Sequence, residues 1–120
     1  MIVVDTSVWV DHLNVKDHPL QGLLESGHVL IHPLVIGELE CGQLRNRAEI
    51  LKLLTLLPRS EVPSNDDVMA FISQHSLFGK GIGIVDAHIL CATAATPESL
   101  LWTMDLRFKN LALALNLSFK

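Results

Sequence analysis

The chain has 120 residues, 49% hydrophobic and 18% charged, with a formal net charge of −4. That length suits one domain spanning residues 1–120 with a sizeable core, and the composition excludes a disordered chain or a linker. No apolar run is long enough to cross a bilayer, and the acidic balance excludes nucleic-acid binding by bulk electrostatics alone.

The chain opens on Ile2-Val3-Val4, a short β-branched run without alternation. It predicts a strand buried on both faces, the pattern of a central strand in a parallel sheet. Asp5, Thr6 and Ser7 follow at once. In open α/β sheets ligands bind beyond the carboxyl ends of the strands, so a carboxylate there is a candidate metal ligand. The same three residues also make an ordinary strand-to-helix turn with an N-cap, for which Ser7 is the candidate. Asp5 interrupts the apolar stretch and no basic segment precedes it, so no signal peptide is expected and the expected location is the cytoplasm. Cys41 and Cys91 lack metal-type spacing and are expected to be reduced, buried and small.

Val8, Trp9, Val10 and Leu13 belong to a short first helix, and residues 14–19 read as a loop. Residues 20–25 are predicted helical, with Ser26-Gly27 as the stop. HVLIH, residues 28–32, is a second short strand. Pro33 then suits the first turn of a helix running to about Gly42 and carrying Glu38 and Glu40. Residues 47–57 form the next predicted helix. Pro58 and Pro63 bracket a possible third strand around Glu61-Val62. Asn65 is the expected cap of a helix through His75. LFGKGIG, residues 77–83, is a loop with three glycines but no Walker motif, since no Gly-Lys-Ser/Thr follows. Residues 84–96 give the strongest helix, alanine-rich and stopped by Thr96-Pro97. Residues 100–104 are another buried strand, ended by Asp105 as Asp5 ends the first. A helix over 106–115 and an edge strand over 117–119 complete the chain. Strands alternating with helices imply a mostly parallel sheet covered on both faces.

Asp5 and Asp105 both end apolar strands, so neighbouring strands would bring them to one crevice. Asp86 lies in the first turn of the strongest helix, where the helix dipole favours a carboxylate. Glu38 lies on the helix after the second strand. Gathering such groups is electrostatically unfavourable, and without a cation at least one is pushed toward protonation. Mg²⁺ or Mn²⁺ takes oxygen ligands and keeps several waters, which resolves the repulsion. An acidic, hydrated metal site suits phosphodiester hydrolysis. The competing reading is N-caps and solvated surface acids, which is how Asp11, Asp17, Glu49, Asp66, Asp67 and Glu98 are read.

Four stretches together resemble PIN-domain ribonucleases, and within them the VapC toxins of toxin–antitoxin pairs. They are MIVVDTSVWVD, HPLVIGELECG, GIGIVDAHILCATA and LLWTMDLRF, in the family's order and over nearly the whole chain. The resemblance implies an α/β fold, a three-layer α/β/α sandwich around a short, mostly parallel sheet. It implies a metal-dependent endoribonuclease using Mg²⁺ or Mn²⁺, with tRNA or ribosomal RNA as target and a small antitoxin that blocks the site. By position it makes Asp5, Glu38, Asp86 and Asp105 the acidic cluster, with Asp5 and Asp86 as direct metal ligands. Glu38 rather than Glu40 fits the Glu-Leu-x-x-Gly register. Thr6 or Thr103 would orient a carboxylate or a water. Arg107 stands where many members carry a further acid, which removes a ligand from any second metal position.

The remaining polar candidates are weaker. Arg45, Arg47, Lys80 and Lys109 are candidate phosphate contacts without forming a dense patch, Lys80 being favoured. Arg107 is a candidate of the same kind, although a solvated surface arginine is the plainer reading. The six histidines are expected to be structural or surface residues. Trp9 and Trp102 are expected to pack in the core rather than stack on bases. A phosphatase of similar architecture is the rival activity, but an acid would be wanted two residues after Asp5, where Ser7 stands. A non-catalytic binding module gives no reason to collect four acids. The high apolar content in a short chain predicts a homodimer or a partner covering some helix surface.

Overall fold

Three apolar residues cannot make a stable strand alone, and Ile2–Val4 acquires its place by pairing on both edges. In the computed structural model, which describes residues 1–120, this strand is β1. It lies between β2 (Val29–Leu30) and β3 (Leu100–Trp102), and both pairings are parallel. All three residues of β1 are buried, as the unalternating β-branched run requires of a central strand. The register sets Val3 beside Leu30 and Leu101, and Val4 beside Trp102.

Seven helices surround the sheet in an α/β sandwich: α1 (Thr6–Asn14), α2 (Leu20–Glu25), α3 (Pro33–Cys41), α4 (Arg47–Thr55), α5 (Asn65–Gln74), α6 (Ile84–Ala95) and α7 (Leu106–Ala114). Helix α1 packs on both α2 and α3, and α3 on α4, whereas α5 packs on α6 and α6 on β3. The core joins Val3, Val4, Val8, Leu20, Ile89, Leu90 and Phe108, all fully buried. Helix α6 is buried along most of its length, from Ala87 to Thr93. Its small residues allow that close packing, and Thr93 satisfies its hydroxyl on the Ile89 carbonyl at 2.9 Å.

Several boundaries differ from the sequence reading. Helix α1 starts at Thr6 with Asp5 as its N-cap residue, so Ser7 is not the cap. Its hydroxyl serves the strand ends instead. The cap of α5 is Ser64, not Asn65. Ser64 and Asp67 exchange side-chain and backbone hydrogen bonds as a capping box. No strand forms around Glu61-Val62, because the Glu61 N–H is taken by the Thr96 hydroxyl at 2.9 Å. The sheet is extended two residues earlier, by a single bridge from Ile31 to Arg59, and on its other edge by one from Leu101 to Ser118. Cys91 is buried as expected, but Cys41 closes α3 on the surface.

Two buried histidines support helix starts. His32 Nδ1 accepts the Leu34 N–H at 3.0 Å and caps α3, while His18 Nδ1 accepts the Leu20 N–H at 3.1 Å and Nε2 meets Asp11 at 2.9 Å. Capping by Nδ1 requires a neutral ring. Burial, with His88 and Arg59 nearby, lowers the His32 pKa to about 4, which keeps it so at neutral pH. Trp9 and Trp102 are both buried, with His18 stacked on Trp102 at 5.7 Å between ring centroids.

Candidate active site at the strand ends

Because β1 and β3 run parallel with Val4 opposite Trp102, the next residues of both strands emerge side by side. They are Asp5 and Thr103, both buried. The Asp5 N–H donates to the Trp102 carbonyl at 2.9 Å, continuing the ladder by one step. The Thr103 hydroxyl then donates to Asp5 Oδ2 at 2.7 Å, and the Ser7 hydroxyl donates to the same oxygen at 2.9 Å. Each hydroxyl is itself fixed by a backbone N–H from the turn after β3. Met104 N–H donates to Ser7 Oγ at 3.0 Å, and Asp105 N–H to Thr103 Oγ1 at 3.1 Å. Both hydroxyl protons are thereby directed at one carboxylate oxygen. Asp5 Oδ1 caps no helix N–H.

Asp105 caps α7, accepting the Phe108 N–H at 3.1 Å on Oδ1. Its place is fixed by the end of β3 on one side and by Phe108, fully buried, on the other. Glu38 reaches the same region from α3. The Thr6 hydroxyl donates to Glu38 Oε1 at 2.5 Å, which ties α1 to α3. Glu40 points elsewhere, toward Arg47 at 3.6 Å on the exposed side.

Asp86 enters from the first turn of α6. Its pKa is raised from 3.8 to about 6, chiefly by burial and then by the charge of Asp5, with Asp105 and Glu38 adding to it. A backbone hydrogen bond from Gly83 works the other way. Asp5, Asp105 and Glu38 are thus each within electrostatic reach of Asp86, although no three of the acids converge as a ready-made ligand cage. The donor set is entirely oxygen, and the repulsion concentrated on Asp86 is what a hard divalent cation relieves. The residues fit such an ion.

Among the cations named from sequence, Arg45 lines an open cavity of about 540 Å³ that also reaches Thr6 and Glu38. Arg107 lies across Gly81 of the loop before α6. Gly81 has φ +82°, a backbone conformation that favours glycine, and a Cβ there would fall 2.9 Å from Arg107 Nη1 and displace the tip of the arginine. Lys80 is exposed in the same loop. None of these cations forms an ion pair with the acids. Ser7 is the residue that sequence reasoning placed in the wrong role. Its signal was present as the second hydroxyl after Asp5, but a partner 96 residues away decides what that hydroxyl does.

A family model described as PIN domain matches residues 2–113. Ribonuclease VapC32 of Mycobacterium tuberculosis, strain CDC 1551 / Oshkosh, is 41% identical over 109 residues, covering 91% of this chain and 88% of the relative. The protein of that name from strain ATCC 25618 / H37Rv matches with the same identity and coverage.

Proposed function

This chain belongs to the PIN domain family, among the VapC ribonucleases, and on that premise we propose that it is a toxin that hydrolyses RNA with a divalent cation, Mg²⁺ or Mn²⁺. The observation that carries the cation is a half-buried Asp86 whose pKa is lifted to about 6, by burial first and then by the charges of Asp5, Asp105 and Glu38. Asp5 and Asp86 would hold it, with Glu38 and Asp105 beside them. When bound, a divalent cation there supplies positive charge to the phosphodiester and makes water a better nucleophile.

The chain's own groups prepare that chemistry. Ser7 and Thr103 fix the rotamer of Asp5 from two sides, so no reorganisation is needed when substrate arrives. Thr6 does the same for Glu38. Arg45 lines the cavity that reaches Glu38, and Arg107 lies against the loop that carries Lys80 before α6; in this reading these cations meet backbone phosphates flanking the scissile bond. A folded RNA, tRNA or ribosomal RNA, is the proposed target.

The proposed partner is a small antitoxin that covers the crevice. Leu56 and Leu106 are 72% and 70% exposed, and surface of this kind supports an antitoxin complex or a homodimer. Sedimentation showing only monomer at micromolar concentration would count against the dimer.

The test is cleavage of total cellular RNA, including folded tRNAs, by wild type and Asp86→Asn with Mg²⁺, with Mn²⁺ and with a chelator. Discrete metal-dependent fragments from wild type, reduced by about 10²–10⁴-fold in a folded Asp86→Asn, are expected. Equal cleavage by the two proteins, or cleavage undiminished by the chelator, would overturn the reading.

A further inference from the structure

We infer that the cavity between α1, α3 and the loop after α3 is a nucleobase subsite, which takes one base of the RNA next to the scissile bond and gives the enzyme its choice of cleavage position. The inference rests on the ribonuclease reading and adds the part of the substrate that is read.

The cavity holds about 540 Å³, within the roughly 300–1,000 Å³ typical of sites for small molecules. Its composition divides in two. Val10, Leu39 and Ile50 give an apolar surface, and Gln43, Arg45 and Asn46 supply polar groups from the loop between α3 and α4. A nucleobase has the matching form, a flat apolar face with donors and acceptors around its edge. Glutamine and asparagine amides each present a donor and an acceptor together, the combination that pairs with a base edge.

None of these three loop side chains is used by the fold. Asn46 precedes α4 but makes no capping hydrogen bond. Gln43 and Arg45 have no hydrogen-bond or ion-pair partner in the chain, whereas their neighbour Arg47 is bound to the Glu40 carbonyl at 3.1 Å. Asn46 is also held at φ +53°, ψ +44°, a left-handed conformation that sets the course of the loop into α4.

Position links the cavity to the chemistry. One wall is the hydrogen-bonded pair of Thr6 and Glu38, and Glu38 is among the charges acting on Asp86. A base seated here therefore belongs to a nucleotide adjoining the phosphodiester at the acids. Arg45 would meet a phosphate on the outer side. A protein segment suits the site less well. The neighbouring hollow across Leu13 and Ile50, lined by Leu24, Leu53, Leu56 and Leu57, is the apolar one, whereas this one has amides and a guanidinium without partners.

The test compares wild type with Gln43→Ala, Asn46→Gly and the double variant, on total RNA with fragment ends mapped. Glycine at 46 removes the amide and keeps the left-handed backbone, so the loop is retained. Thermal melts check that retention. Relative to other positions, cleavage at the preferred position is expected to fall about tenfold in the variants, with new positions appearing. Unchanged fragment ends and relative rates in folded variants overturn the subsite alone. Unchanged cleavage with weaker inhibition by the antitoxin also overturns it and assigns the cavity to a protein. Absence of cleavage by wild type overturns the ribonuclease reading and the subsite with it.

Discussion

The two sides of the acidic crevice are built differently. On the strand side, Asp5 is buried yet accepts two hydroxyls on a single oxygen, and Asp105 accepts the backbone of α7. On the helix side, Asp86 is half-buried, faces three other carboxylates and has its pKa raised to about 6. One side has its polar groups satisfied by the fold, and the other leaves its repulsion unresolved. The difference shows where the protein alone completes the site and where a cation must. Buried acceptors with fixed donors are preorganised at no further cost, whereas like charges gathered around one carboxyl need a counter-charge from outside.

The largest expected effect sharpens that contrast directly. Mg²⁺ or Mn²⁺ at about 100 times its dissociation constant should stabilise wild type by about 2.7 kcal/mol against thermal unfolding. Asp86→Asn should lose most of that gain and keep its fold. Equal metal stabilisation in both proteins would place the cation away from the helix side.

On the strand side, Thr103→Val keeps the shape and removes one donor to Asp5 and the acceptor of the Asp105 N–H. Urea unfolding in chelator should show a loss of about 1–2 kcal/mol, the cost of leaving buried polar groups short of a partner. A neutral substitution would mean that Ser7 alone satisfies Asp5.

The smallest effect is a pH dependence of opposite sign to ordinary acid denaturation. Asp86 binds its proton more tightly folded, at about 6, than its ordinary value of 3.8. The folded state therefore holds more protons between these values, and stability falls as pH rises from about 4 to about 6, then levels. In chelator, wild type should lose about 1 kcal/mol relative to Asp86→Asn over that interval, after allowance for solvent screening. His32 acts in the opposite sense over a similar range. Its folded pKa of about 4 lies below the ordinary 6.5, so the stability it contributes is complete above 6.5 and is lost as pH falls toward 4. The difference between the two proteins, rather than either curve alone, isolates Asp86. Parallel curves would show that neither burial nor neighbouring charge raises the Asp86 pKa in the folded state.

Much of this arrangement was legible in the chain. The buried run at Ile2–Val4 is a local pattern, and so is the apolar strand before Asp105, because a strand buried on both faces must be apolar throughout. The strong helix with Asp86 in its first turn reads from composition and its stop at Thr96-Pro97. Glu38 was separable from Glu40 only through family resemblance, since both are exposed acids on one short helix. The expected strand at Glu61-Val62 failed because a threonine hydroxyl 35 residues away takes the N–H that a ladder would use.

What the amino-acid order determined by itself is the set of elements and the acids that end or begin them, because hydrophobic periodicity and helix signals act over a few residues. What only the tertiary structure decided is how those acids are held. The Thr103 hydroxyl reaches Asp5 across 98 positions, Thr6 reaches Glu38 across 32, and Ser7 leaves the capping role for the strand ends. These contacts follow from the register of β1 against β3 and from the docking of α1 on α3, which no local preference encodes.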